Sequence, residues 1–277
     1  MSYSESLRDH YKQADRDSQY EHNWGYVNPV AAAYWRMRDE IVFENITNRF
    51  DTLRDSLRVL EVGVGHGHEL AKLSQLGIPT SHLCGIDLVL DRLVRASVTY
   101  PSIGFSQQDG TRLAFRDATF DIVCQFTCVM HAFSKELQLA ICQEMNRVLK
   151  PGGIVVWWDI APIKGRTSLL MRLCRLLSKR QAAKRVLSAF KDAVHGSLRR
   201  SHPGNAEAES TSSYILPIAS QEIVQMFQGL RVDVKCVGVN YDMWEYLWRI
   251  SRSGAQILWR TGWFYQHCFA VIEKPAI

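Results

Sequence analysis

Residues 59–70, VLEVGVGHGHEL, concentrate the residue types in this chain that could do chemistry. Gly63, Gly65 and Gly67 occupy alternate positions where an apolar run gives way to a helical pattern. Lacking a Cβ, they permit a tight bend and let a ligand approach the backbone. A loop built for a dinucleotide pyrophosphate has the spacing G-x-G-x-x-G, with small residues ahead of the helix. Here the sixth position is His68, and an acid, Glu61, precedes the glycines, which argues against NAD. Asp87 ends the next apolar run, where a carboxylate can accept both hydroxyls of a ribose. Asp109, in QQDGTRLAF, ends the loop after the run that follows. For each of these acids a helix cap or turn is the alternative use.

Two further side chains capable of holding or moving a proton fall at strand ends. His131 lies in TCVMHAF and is a candidate base or substrate ligand; its alternative is an imidazole that fills a loop. Asp159 closes VVWWDI and is a candidate for orienting the acceptor or the base, against a cap or turn role. His66 and His68 sit inside the glycine loop, too near the ligand's backbone cradle to be read as catalytic, and His267 is read as structural. No His, Cys or carboxylate spacing suggests a metal site.

The elements that must hold these groups alternate along the chain. Asn28-Pro29 has the form of an N-cap followed by proline at the first helical position, and the residues behind it have helical periodicity. Strands are predicted at 58–62, 82–87, 103–107, 120–126 and 154–159, with helices at 69–76, 90–100 and 135–149 between them. Gly77, Pro101 and the run Lys150-Pro151-Gly152-Gly153 supply the stops. After a break come a helix at 221–228, a strand at 230–239, an aromatic-rich segment to Tyr265 and a strand at 268–272. The pattern predicts an α/β, doubly wound sheet of seven mostly parallel strands, Rossmann-like, with a helical insertion after the fifth. The implied division is an N-terminal helical cap (1–57), a ligand-binding core (58–163), a basic helical insertion and flexible loop (164–213) and a C-terminal completion of the core (214–277).

The E-x-G-x-G-x-G loop, the acid of GID, Asp109-Gly110, FDIVCQF and VLKPGG follow one another in an order that resembles the class I S-adenosylmethionine-dependent methyltransferases. The resemblance covers about residues 58–160 and implies S-adenosyl-L-methionine as cofactor. Carried over, it gives Glu61 and the backbone of Gly63, Gly65 and Gly67 to the methionine moiety and Asp87 to the ribose. Leu88 would pack on the adenine and Asp109 accept from its amine, with Gly110 and Phe126 completing the pocket. A weaker resemblance, in WWD and HCFAVIEKP, is to methyltransferase domains of bacterial glycan assembly. It implies O-methylation of a small-molecule, sugar or lipid-linked glycan acceptor.

Charge distribution adds to the question of partners. Between Lys164 and Arg200 eleven basic residues face Asp192 alone, so the rest of this +5 chain is net acidic. Apolar residues at helical spacing in that stretch suggest a helix lying on an acidic surface, or a solvated lid. A lipid surface at the inner face of a membrane is the expected contact, and nucleic acid the weaker one, with RNA methylation as the rival activity. A non-catalytic, membrane-associated protein of the same fold is the other rival. Tyr20, Trp24 and Tyr26 suggest either a lid or packing. Trp244, Trp248, Trp259 and Trp263, with Tyr241, Tyr246, Phe264 and Tyr265, suggest either an acceptor pocket or core. Seven scattered cysteines without paired spacing, and a polar, mixed-charge N-terminus, predict reduced thiols and a cytoplasmic location.

Overall fold

The computed structural model describes residues 28–51, 54–162, 216–238, 241–261 and 267–276. Tyr20, Trp24, Tyr26, Trp263, Phe264, Tyr265 and the basic stretch 164–200 lie outside them, as do residues 201–213 and the side chains of Tyr241 and Tyr246.

Seven strands form one sheet: β1 (Val59–Val62), β2 (Leu83–Asp87), β3 (Gly104–Gln107), β4 (Phe120–Phe126), β5 (Leu149–Ile160), β6 (Arg231–Val237) and β7 (His267–Glu273). Their order is β3-β2-β1-β4-β5-β7-β6, with β7 antiparallel to both neighbours. The predicted doubly wound class is borne out. Strand order reverses between β1 and β4, which opens a crevice at their carboxyl ends.

Helices cover both faces. α1 (Pro29–Arg49) begins as its sequence implies: the Asn28 side chain accepts from Val30 N at 3.0 Å, and Pro29 takes the position where a missing N–H costs nothing. α1 shares one face with α2 (His68–Lys72), α3 (Leu90–Thr99), α6 (Tyr241–Ile250) and α7 (Arg252–Thr261), while α4 (Lys135–Val148) and α5 (Ser220–Met226) lie on the other. Successive residues of β5 serve the two layers in turn, Trp158 facing the first and Trp157 the second.

Two sequence expectations change. The run Lys150–Gly153, expected to be a turn before the fifth strand, lies within β5. The register to β4 shifts there, from Phe120↔Leu149 to Ile122↔Ile154, and Gly152 takes φ +77°. The aromatic-rich segment contains two helices, α6 and α7. Trp244 and Trp259 are fully buried in the first layer, and Trp244 Nε1 donates to Val30 O at 2.9 Å.

Candidate functional site

The glycine turn is pinned to its neighbour strand before any ligand is considered. Gly63 N and Val64 N both donate to Ile86 O, at 2.8 and 2.9 Å, and the Val64 side chain packs where a Cβ on Gly85 would stand. Gly63, Gly65 and Gly67 have φ of +75°, +53° and +80°, which only glycine adopts without strain. A Cβ added at Gly65 would meet nothing within 4 Å, so that side of the loop is open. Gly65 N donates to Asp87 Oδ2 at 2.9 Å, and Val89 N to Oδ1 at 2.8 Å. Asp87 therefore ties the glycine loop to the turn after β2. Each carboxylate oxygen still has a lone pair for a further donor.

Glu61, on β1, is 2% exposed, and its Oε2 has no hydrogen-bond partner. Burial, reinforced by the carboxylates of Glu69 and Asp87, holds its carboxyl well above the ordinary range, although Arg38 and Lys72 pull the other way. Arg38 is the residue that the sequence reading missed. It is buried on α1, with its guanidinium 2.8 Å from Asp39 and 3.1 Å from Glu69, and lies over the rings of Trp35 and Phe126 at 5.0 and 5.3 Å. Lys72 closes the cluster on Asp39 at 2.7 Å. Burial alone would raise the Glu69 carboxyl, but Arg38 and Lys72 outweigh it and lower it. The available signal for Arg38 was a cation at a position of α1 that shares a face with Tyr34, Met37 and Val42.

The remaining positions expected to hold cofactor divide. Asp109 Oδ1 accepts from Thr111 N at 2.9 Å and Thr111 Oγ1 at 2.7 Å, a local turn in which Oδ2 takes no part. Leu88 is half-buried at the start of the turn into α3, its carbonyl accepting from Gln107 Nε2. Gly110 packs against Val62 and Ile141, and Phe126 ends β4 beneath Arg38. These four residues and Asp87 lie at or just beyond the carboxyl ends of β2, β3 and β4, around the crevice.

The two candidates for proton chemistry are placed differently. His131 is half-buried in a 3-10 turn (Val129–His131) after β4. Asp159 is wholly buried and turned toward that same loop: Oδ2 accepts from Met130 N at 3.1 Å and Gln125 Nε2 at 3.4 Å, and Oδ1 from Ile160 N at 3.0 Å. Burial pushes its carboxyl up to about 7 against these bonds. The contacts of the Asp159 oxygens are thus to backbone and to Gln125. His68 bonds to Tyr100 through Nδ1 at 2.8 Å. His267 lies under α1, with Nδ1 2.9 Å from Tyr34 Oη and its ring stacked on Trp158 at 4.8 Å; burial lowers it to about 3.

The donor set suits S-adenosylmethionine. The unpartnered Glu61 Oε2 suits an ammonium, the buried Arg38 a carboxylate, Asp87 a pair of hydroxyls, and the open side of Gly65 a close approach to backbone. Residues 59–153 match a family model described as a methyltransferase domain. Among curated relatives, the phthiotriol/phenolphthiotriol dimycocerosates methyltransferase 1 of Mycobacterium ulcerans is 34% identical over 110 residues, 38% of this chain and 38% of that protein. The ubiquinone/menaquinone biosynthesis C-methyltransferase of Teredinibacter turnerae is 30% identical over 171 residues, 56% of this chain and 65% of that protein. The chain thus spans less than two thirds of either relative. The magnesium protoporphyrin IX methyltransferase of Synechocystis, solved with bound SAH, has the same fold, with a TM-score of 0.56 at 14% identity over 96% of this chain and 98% of that one. Residues 59–153 are therefore a class I S-adenosylmethionine-dependent methyltransferase domain.

Proposed function

We propose that this chain transfers a methyl group from S-adenosylmethionine to an apolar, lipid-like acceptor. The observation that carries the acceptor class is the exposed apolar and basic corner between α6 and α7. Phe126, Trp158 and Tyr34 are buried between the sheet and α1, with Trp35 half-buried beside them, so the floor under the crevice is apolar. The names of the two relatives above, a lipid and a quinone methyltransferase, support the same reading.

The cofactor supplies a methyl carbon made electrophilic by a cationic sulfur, so the protein's share is alignment, exclusion of water and removal of a proton from the acceptor. Glu61 and Arg38 fix the amino-acid end and Asp87 the ribose. His131, on the rim of the crevice, is the base. An oxygen acceptor, the expectation from sequence, and a carbon acceptor, the chemistry in the quinone relative's name, both give up a proton. Labelled methyl transfer into lipid and soluble fractions, with the product's new bond identified, distinguishes them. His131→Gln is expected to lower kcat about 10²–10⁴-fold while leaving affinity for S-adenosylhomocysteine within a factor of two. An unchanged kcat removes His131 from the reaction.

The corner between α6 and α7 supports delivery of such an acceptor from an anionic lipid surface. Ile250 and Ile257 are 66% and 61% exposed, Arg249 and Arg252 are exposed beside them, Arg260 pairs with Glu40 of α1 at 3.0 Å, and no acidic residue occurs between positions 246 and 272. No helix among the described residues is long and apolar enough to cross a membrane. Sedimentation with phosphatidylglycerol vesicles is expected to carry the protein down, and Ile250→Asp/Ile257→Asp to cut that binding roughly tenfold or more. Equal binding by the double variant rules this corner out.

A further inference from the structure

Two buried polar side chains, Gln125 and Asp159, hold the loop at residues 127–131 and take no part in the reaction proposed above. We propose that Asp159 is a positioning residue for the cofactor loop, acting through this loop and the Cys128 side chain on Gly63. The inference rests on the reading of that glycine turn as the S-adenosylmethionine site.

The loop is not one the chain adopts for its own sake. Thr127 has φ +56°, a left-handed conformation that costs a non-glycine residue energy, and it is held there by Thr127 N donating to Trp158 O at 2.7 Å. Beyond it, Gln125 Oε1 accepts from Cys128 N at 2.9 Å and Val129 N at 3.3 Å, and Asp159 Oδ2 accepts from Met130 N. Gln125 Nε2 in turn donates to Trp158 O and to Asp159, so the two side chains act as one network between β4, β5 and the loop. From the other side, Gln138 of α4 donates to Val129 O at 3.3 Å.

What this network fixes is the place of Cys128. Its Cβ lies 2.6 Å from where a Cβ on Gly63 would stand, and its Sγ is nearer still. The thiol fills the space of the missing side chain, so the glycine turn rests on Cys128, and Cys128 on the two buried anchors. The groups that face Asp159 are the thiols of Cys128 from the loop, Cys142 from α4 and Cys268 from β7, each raised by burial. Among the described residues no cation faces it, and its carboxyl is held there by N–H donors. A change at Asp159 therefore reaches the glycine turn by moving the loop.

A double-mutant cycle on the full chain tests this, with S-adenosylhomocysteine affinity as the readout and thermal melting as the check on folding. Asp159→Asn keeps the shape but loses one acceptor, and is expected to weaken binding about fivefold to tenfold. It should raise KM for S-adenosylmethionine and, because the same loop carries His131, lower kcat at saturation as well. Cys128→Ala removes the contact with Gly63, and in that background Asp159→Asn should have little further effect. Affinity within twofold of wild type for Asp159→Asn, or single effects that multiply in the double variant, overturns the proposal. If Asp159→Asn does not fold, Gln125→Met, which removes the acceptor for Cys128 N and Val129 N, takes its place under the same criteria. Wild-type protein that fails to bind strikes the proposed cofactor site itself, a distinct outcome.

Discussion

Asp87→Ala is expected to weaken S-adenosylhomocysteine binding roughly tenfold to a hundredfold, the fold-change that corresponds to losing two charge-assisted hydrogen bonds worth together about 1.5–3 kcal/mol. The effect should exceed that of any other single carboxylate at the crevice, because Asp87 does two things. In the proposed site its oxygens would accept from the ribose hydroxyls, and they also accept from Gly65 N and Val89 N, so their removal loosens the glycine turn as well. Asp87→Asn separates the contributions: one acceptor remains for the backbone, while the charge that strengthens the ribose bonds is gone. Calorimetry on the three proteins reads the difference. An alanine variant that binds within a factor of two of wild type would mean that the ribose is held elsewhere.

Arg38→Met should have the largest effect on stability. Arg38 is buried among Asp39, Glu69 and Glu61, and Lys72 is the other cation close to them. Removing one member of a buried charge cluster leaves the rest uncompensated and costs about 3–5 kcal/mol, which in a chain of this size lowers the melting temperature by roughly 10 °C. The methionine retains apolar contact with Trp35 and Phe126, so loss of stacking is not the main term. Arg38→Lys keeps the charge without the planar fork and should fall between the two. Differential scanning calorimetry at pH 7.5 decides it; a loss under about 1 kcal/mol would show that Lys72 suffices for the cluster.

Much of this arrangement was legible because punctuation residues bound the apolar runs. Pro101 stands two residues after Thr99, where α3 stops, Gly77 closes the turn after α2, and Phe120–Phe126 stands where the run between Thr119 and Thr127 put it. Three features were hidden for physical reasons. α6 and α7 carry their 3.6-residue period in Trp244, Trp248, Ala255 and Trp259, and the density of aromatics there resembles a pocket as much as a helix face. Arg38 gains its meaning from Glu69, a partner 31 residues away that no local pattern announces. The height of Asp159 at the end of β5 was readable, but its direction follows from strand parity. It shares a face with Trp157, which packs in the α4 and α5 layer, and so points at the loop under α4.

The central claim is that a nucleoside bearing an amino acid binds across the carboxyl ends of β1 and β2, with Glu61 under its ammonium. Because burial holds the Glu61 proton to higher pH than usual, and an ammonium beside it favours the carboxylate, binding should release a proton and tighten as pH rises toward that raised value. The direct measurement is isothermal titration of the full chain with S-adenosylhomocysteine in two buffers of different ionisation enthalpy. Micromolar, one-to-one binding with proton release that disappears in Glu61→Gln is the expected result; no heat of binding at high micromolar ligand would contradict the account.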